Sequence, residues 1–327
     1  MSTKSEVLKI LENNKNKAIS GNDIAKTLNI TRTSIWKAIN ELKQEGYIID
    51  SSTKKGYIFS GNNNKLSLEG VERFLNKKLG DFKVVYKKET ESTNKDLLEL
   101  ADKGKRDLIV EIAEKQTSGR GRIGRKFESP EGGIYFSILL DLKGIEISKI
   151  TILTPMAAVA VARSIEKLTN KKVGIKWVND IFLKDKKICG ILTQASLDLE
   201  TNTIGSCVVG IGIDYKLDIE KLPENLKDIV GTIFNKNEIP AVTQNELVAN
   251  ILNELVYMYR DLDNKEFLKE YISHSIVLGK NIEFMLNNEK LEGKALSIDE
   301  NAALVVECNN GQTIKLNSGE VSIKLPK

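Results

Sequence analysis

The chain of 327 residues has one histidine, three cysteines, two tryptophans and only 6% aromatic residues. A lone histidine, His274, argues against a Ser-His-Asp triad and a His-rich metal site, and its place at a helix end suits packing or surface duty. Cys189, Cys207 and Cys308 are too few and too dispersed for a disulfide framework and match no zinc spacing, which fits a reducing cytoplasm. No run of about 18 apolar residues occurs, so no membrane-spanning helix is expected. The opening MSTKSEVLKI lacks the apolar stretch of a signal peptide. Chemistry in this chain must therefore rest on Arg, Lys, Asn and Asp.

The apolar fraction of 41% can supply real cores, and the length suggests two or three domains. Charge is unevenly placed. Residues 1–65 hold 11 basic and 6 acidic residues, so the remaining 38 basic and 39 acidic residues nearly cancel in a chain with 49 and 45 in all. A basic N-terminal piece on a neutral body is the footprint of a nucleic-acid module.

That piece carries three helical patterns. Val7, Leu8, Ile10 and Leu11 mark the first. Ser20, with Asp23 as the acid of a capping box, opens the second. Thr31 caps the third, where Ile35, Ile39 and Leu42 face inward and Gly46 closes the end. Two β-like runs follow, Tyr47–Asp50 and Gly56–Phe59, giving a winged helix-turn-helix layout. Arg32, Thr33, Ser34, Trp36 and Lys37 lie early on the third helix, where base and phosphate contacts are made, and Lys54 and Lys55 would reach phosphate from the wing. Gly61-Asn-Asn-Asn64 reads as a linker.

The centre of the chain is organised around Gln116–Ser129, QTSGRGRIGRKFES, with no acidic residue from Lys115 to Phe127. Gly119, Gly121 and Gly124 leave backbone N–H groups accessible, and Arg120, Arg122, Arg125 and Lys126 match carboxylate or phosphate oxygens. Such a loop, with only Ile123 and Phe127 apolar, cannot pack as a core element, and an anion should order it. A solvated basic loop is the competing reading. Upstream, Glu91-Ser-Thr-Asn94 sets hydroxyls and an amide at a helix start, where plain capping is the alternative. Downstream, Val173–Asp180 is a strand running into a turn, followed by a hairpin through Lys187–Gln194. Lys176, Asn179, Asp180 and Lys187 there suit a triphosphate with Mg²⁺, unless Asn179-Asp180 is only a turn. Gly210-Ile-Gly212 is a weak signal, because it opens no helix as a dinucleotide fingerprint does. Helices are expected over 68–78, 94–101, 152–169, 244–262 and 264–274, and 222–228 reads as a loop. Hairpin-linked strands outnumber helices, so an α+β mixed sheet is expected. Short strands after Gly279 end the chain, with turns at 287–289 and 309–311.

Taken in order, Glu91-Ser-Thr-Asn94, the Gln116–Arg125 loop, Lys176-Trp-Val-Asn-Asp180, Lys187-Ile-Cys-Gly190 and Gly210-Ile-Gly-Ile-Asp214 resemble the biotin–protein ligases. With the N-terminal module, the resemblance is to their bifunctional ligase and biotin-operon repressor form, and it spans essentially the whole chain. It implies a DNA-binding winged helix over 1–62, a catalytic domain over 65–275 and a small SH3-like barrel over 276–327. It implies ATP, Mg²⁺ and biotin as ligands, biotin carboxyl carrier protein and operator DNA as partners, and a ligand-dependent homodimer. Carried over residue by residue, Ser92, Thr93, Asn94, Gln116, Gly119, Arg120, Gly121 and Arg122 would hold biotin and its adenylate. Lys187 and Arg122 would serve the reacting centre, and Lys176, Asn179, Asp180, Phe127 and Asp214 the nucleotide side.

Four positions depart from the family's pattern. Phe127 stands for Trp, Val178 for Pro, Gln194 for an acidic residue and Asp214 for Asn. A carboxylate accepts but cannot donate as an amide does, so Asp214 bears on adenine contacts. A biotin-sensing repressor with reduced ligase activity, or a ligase for another carboxylic acid such as lipoate, therefore stays open beside the leading reading.

Overall fold

The computed structural model describes residues 2–52, 56–61, 63–106, 108–142, 145–198, 203–286 and 289–323. Contacts divide the chain into two compact units, residues 1–76 with 240–250, and residues 77–239 with 251–327.

The first unit opens with α1 (Thr3–Asn13), β1 (Ala18–Ile19), α2 (Gly21–Leu28) and α3 (Arg32–Gln44), then β2 (Ile49–Ser52), β3 (Gly56–Phe59) and α4 (Leu68–Glu72). The caps are those the sequence indicates: Ser20 accepts from the Asp23 amide at 3.0 Å and Thr31 from the Ser34 amide at 3.1 Å. Asp23 closes its box on the Ser20 hydroxyl, at 2.7 Å. Asn29, at φ +52°, makes the left-handed turn between α2 and α3, a conformation asparagine tolerates. Val7, Leu11, Ile24, Ile35, Ile39, Leu42 and Phe59 form the core under a sheet ordered β1-β3-β2. The two-residue β1 is the one strand here that alternation was too short to signal. Asn63, expected in a linker, is buried instead. It accepts from the Ile48 amide at 2.6 Å and donates to the Ile48 and Ser60 carbonyls, pinning the chain as it leaves the wing. The expected 68–78 helix stops at Glu72, with Gly70 inside it and a separate 3-10 turn at Lys77–Leu79.

The second unit contains β4 (Lys83–Thr90), α5 (Thr93–Asp102), β5 (Ile109–Gln116), β6 (Ile134–Leu140) and α6 (Leu153–Thr169). It continues with β7 (Gly174–Lys176), β8 (Asp180–Leu183), β9 (Lys186–Asp198) and β10 (Thr203–Ile213), then α7 (Glu224–Lys227) inside the stretch expected as a loop. Next come α8 (Gln244–Tyr259), which begins in residues grouped with the first unit, and α9 (Phe267–Ser273). The sheet runs β4-β5-β6-β10-β9-β8-β7, parallel only between β4 and β5. This is the mixed α+β sheet anticipated. Leu97 and Ala101 of α5 pack with Ile109, Leu139 and Val208 of the sheet, while α6 is buried along most of its length.

Registers fix where the loops go. Thr90 pairs with Gln116, Ile213 with Ile134 and with Cys189, Asp180 with Gly190 and with Lys176. The ends of β4, β5 and β10 and the starts of β6 and β9 therefore gather at one end of the sheet, and the β7–β8 turn lies level with Gly190, near the start of β9.

The chain ends in β11 (Asn281–Leu286), β12 (Glu289–Ile298), β13 (Leu304–Cys308), β14 (Thr313–Leu316) and β15 (Val321–Ile323), an antiparallel sheet ordered β14-β13-β12-β11-β15. Among the described residues β14 and β15 are the two edges of this five-stranded sheet.

Candidate functional site

At that end of the sheet lies a cavity of about 410 Å³, within the range of small-molecule sites. It is lined by Ser92, Thr93, Asn94, Gln116, Arg120, Gly121, Arg122, Phe127, Lys176, Asn179, Asp180, Lys187 and Asp214. Of the ligand-site residues singled out from sequence, all but Gly119 thus face one space.

One end is a neutral polar network. Ser92 precedes α5 in extended conformation but caps nothing with its side chain, so the plain-capping reading fails for it. The Gln116 carbonyl accepts from the Thr93 amide at 2.9 Å and its amide donates to Ser129 at 3.0 Å. Ser137 lies 2.6 Å from the Thr93 hydroxyl and donates to Asn94 at 2.6 Å, while the Asn94 amide donates to Gln194 at 2.9 Å. Gln194 supplies the acceptor that a carboxylate would have given there. Ser137 is a residue sequence reasoning missed, although a lone polar residue in the run Ile134–Leu140 was a usable signal.

Two glycines explain the Gly210-Ile-Gly212 run. A Cβ on Gly210 would sit 1.9 Å from the Asn94 carbonyl oxygen, and one on Gly212 2.5 Å from the Phe127 ring. Period-2 spacing puts both on one face of β10, clearing room for two ligand-facing side chains.

The arginine loop forms a tight hairpin. Gly121 donates to the Arg125 carbonyl at 2.7 Å and Phe127 to Gly119 at 2.9 Å. Gly119 serves this closure and does not line the cavity. A Cβ there would lie 2.4 Å from the Phe127 carbonyl oxygen. Ile123, at φ +53°, sits at the exposed tip. Arg122 donates to Asn179 at 3.2 Å, and burial lowers the guanidinium's pKa. Arg125 is held 2.5 Å from Glu320, which lines the cavity beside Val321 and Ser322 of β15.

The turn between β7 and β8 faces two ways. Trp177 donates to the Ala302 carbonyl at 3.0 Å, and the Val178 carbonyl accepts from Tyr271 at 3.0 Å, anchoring the turn from behind. The Trp177–Val178 peptide is cis. Asn179 points into the cavity and donates to the Ile191 carbonyl at 2.9 Å. Lys176, its pKa lowered by burial, and Lys187, 2.7 Å from Asp180 and 5.8 Å from the Phe127 ring, complete a basic end. The turn is more than a bare β-turn.

α5 is held in place by a buried acid cluster. Lys87 lies 2.9 Å from Asp96 and 3.1 Å from Glu111, and Thr90 donates to Asp96. Burial first, then the hydrogen bond to Asp96, pushes the Glu111 carboxyl up to about 8, and bonds from Glu111, Lys87 and Thr90 hold Asp96 below its usual range against burial. The native protein therefore keeps a proton here that the unfolded chain releases near pH 4.3. Stability is fully present below that pH and falls as pH rises toward about 8, by at most about 1.4 kcal/mol per unit. Thermal melts from pH 5 to 9 should show this decline, and Glu111→Gln should flatten it; equal slopes in both proteins would contradict the account.

In the first unit, Arg32, Thr33, Trp36 and Lys37 are exposed on α3, with Trp36 59% exposed. Ser34 is partly committed to the Thr31 cap, hydroxyl to hydroxyl at 2.9 Å. Lys54 and Lys55 lie outside the described residues. His274 packs against the Glu270 carbonyl at 2.8 Å and lies 3.4 Å from Glu166. Among the described residues no cluster of three or more His, Cys, Asp or Glu forms a metal site, and no helix is long and apolar enough to cross a membrane.

Residues 86–214 match the Biotin/lipoate A/B protein ligase family, residues 3–58 an HTH domain and residues 277–324 a Biotin protein ligase C terminal domain. The Bifunctional ligase/repressor BirA of Bacillus subtilis is 33% identical over 300 residues, covering 90% of this chain and 91% of that protein. Its Escherichia coli counterpart of the same name is 28% identical over 310 residues, covering 93% and 92%. The biotin protein ligase of Aquifex aeolicus, solved with biotin and ATP, superposes with a TM-score of 0.61 at 26% identity, covering 74% of this chain and 98% of that one.

Proposed function

Since the chain belongs to the biotin/lipoate protein ligase family, in its bifunctional ligase/repressor branch, we propose that this cavity joins biotin to AMP and that its helix-turn-helix acts on DNA. The reaction is ATP-dependent activation of biotin to biotinyl-5′-AMP, then transfer to a lysine of a biotin carboxyl carrier protein. The carrying observation is a single cavity with a neutral hydrogen-bonding end and a cationic end. Thr93, Asn94 and Gln116 suit an uncharged urea-like head group, which needs donors and acceptors but no charge. Arg120, Arg122, Lys176 and Lys187 suit a carboxylate meeting phosphates.

In the first step a biotin carboxylate oxygen bonds to the α-phosphorus and the bond to pyrophosphate breaks. In the second the acceptor amine attacks the acyl carbon, AMP leaves with the electron pair and the amine loses a proton. Neither step requires a protein nucleophile; each requires alignment and charge neutralisation. Lys187 and Arg122 would meet the charge that develops around the α-phosphate. Mg²⁺ fits only as a companion of the triphosphate, because the described residues hold no cluster of ligating carboxylates and Asp180, Glu320 and Glu128 already pair with Lys187, Arg125 and Lys126. When bound it would neutralise phosphate charge.

Within this reading the functional segments are the winged helix over 1–62, the catalytic part over 65–275 and an SH3-like domain over 276–327, working in the cytoplasm as a ligand-dependent homodimer. DNA would be met by Arg32, Thr33, Ser34, Trp36, Lys37 and Lys54. The alternative of a repressor with decayed ligase activity is weakened by Gln194, which keeps its acceptor role toward Asn94.

Incubation with ATP, Mg²⁺, biotin and a carrier protein tests the assignment. Biotin should appear on the carrier and vanish when the carrier's target lysine is replaced; an unlabelled carrier would refute transfer. The loop offers a second check. Arg125 and Lys126 are 68% and 62% exposed, so trypsin should cut between Gly119 and Lys126. Biotin with ATP should slow this several-fold, because a bound anion offsets repulsion and ordering entropy. Equal rates with and without ligands would dissociate the loop from the ligand site.

A further inference from the structure

Asp96 stands in the first turn of α5, the helix at whose start Ser92, Thr93 and Asn94 line the neutral end of the cavity. An acid in a first turn ordinarily serves the free amides of its own helix. This one is engaged elsewhere. Its amide donates to the Ser92 carbonyl at 3.1 Å, while its carboxylate accepts from Lys87 at 2.9 Å and from the Thr90 hydroxyl, both on β4. Lys87 also reaches Glu111 of β5, at 3.1 Å, and Glu111 is 2% exposed.

Thr90 connects this cluster to the ligand end. It is the last residue of β4 and pairs with Gln116. Its carbonyl accepts from the Thr117 amide at 2.9 Å, and the Glu91 carbonyl accepts from the Ser118 amide at 2.9 Å. The segment from Thr90 to Ser92 is therefore held on one side by Asp96 and on the other by the root of the arginine loop. Gln116 closes the circuit, accepting from the Thr93 amide at 2.9 Å and from the Thr93 hydroxyl at 3.2 Å.

On the reading of this cavity as a biotin site, we propose that Asp96 is a positioning residue for the biotin end, acting through Thr90. It sets the start of α5 and the root of the loop at the spacing a neutral head group needs. Lys87, Thr90, Asp96 and Glu111 do not line the cavity, so the effect passes through the backbone that Ser92, Thr93 and Gln116 share. The cluster divides into two duties. Lys87 and Glu111 pair with each other whether or not Asp96 is present, which keeps the buried carboxyl of β5 compensated. Only Asp96 takes the Thr90 hydroxyl and thereby ties the end of β4 to the first turn of α5. An acid that merely stabilised the fold would change melting and leave ligand preference alone; a positioning acid changes the affinity for one ligand. Lys176, Asn179, Asp180 and Lys187 stand on β7, β8, β9 and their turn, away from this tie.

Separate calorimetric titrations of the full chain with biotin and with ATP test this. Asp96→Ala should lower biotin affinity about tenfold, the scale of losing one charge-assisted hydrogen bond, and keep ATP affinity within about threefold. Thr90→Val, which removes the hydroxyl and no charge, should show the same selective loss, and it decides the matter even where Asp96→Ala does not fold. Glu111→Gln, in the same cluster but not bonded to Thr90, should keep biotin affinity within about twofold. Wild-type biotin affinity in either Asp96→Ala or Thr90→Val overturns the proposal. So does an equal loss for both ligands, or a tenfold loss in Glu111→Gln. Wild-type protein that binds no biotin would instead refute the underlying site assignment, so the two failures are distinguishable.

Discussion

Replacing Lys187 by alanine should slow adenylate formation about 10²- to 10³-fold, the scale of losing one oriented charge at a developing oxyanion. Lys187 is the second residue of β9, where its amide donates to Ile229 at 2.9 Å, so the backbone position is fixed before any ligand arrives. Its ammonium lies 2.7 Å from Asp180 and within reach of the Phe127 ring, between the basic loop and the β7–β8 turn. A charge held in this way needs little reorganisation when the α-phosphate becomes more negative. Single-turnover measurements separate chemistry from binding. The expected pattern is a slow chemical step with biotin affinity largely kept, because the neutral end of the cavity is untouched. An unchanged single-turnover rate would remove Lys187 from the mechanism.

Biotin with ATP should raise operator affinity by a factor of about 5–150, the usual range of a coupling free energy between two sites. The N-terminal 65 residues carry 11 basic against 6 acidic residues, and α3 presents Arg32, Thr33, Trp36 and Lys37 to solvent. One such module binds weakly, and a two-fold operator requires two at a spacing of whole helical turns. If the adenylate favours a dimer and the two-fold operator binds the dimer, linkage requires the protein's apparent DNA affinity to rise with ligand. Excess unbiotinylated carrier should reverse both effects by consuming the adenylate. Sedimentation and DNA-shift titrations follow the two quantities separately. Equal operator affinity with and without ligands would make the module a constitutive binder.

Much of this organisation was legible because its signals are local. Ser20, Asp23 and Thr31 announce helix starts, and the glycine–arginine loop and the Lys176–Asp180 turn announce basic residues that come to line one cavity. What stayed hidden depends on approach across the fold. The use of Gly210 and Gly212 follows from Asn94 and Phe127, more than 80 residues away in sequence, lying against β10. Glu320 reaches Arg125 only because the C-terminal sheet's edge borders the cavity. Asp214, whose burial no local pattern announces, is 4% exposed at the cavity wall. Local pattern predicted the elements; only tertiary distance showed which side chains share a space.

The central claim is that one cavity binds biotin and ATP together and joins them. A rapid-quench assay of pyrophosphate release, with enzyme, ATP and Mg²⁺ but no acceptor protein, tests it most directly. The account predicts a burst of about one pyrophosphate per chain that requires biotin and is absent when lipoate replaces it. Pyrophosphate released equally without biotin, or none released with it, would contradict the account.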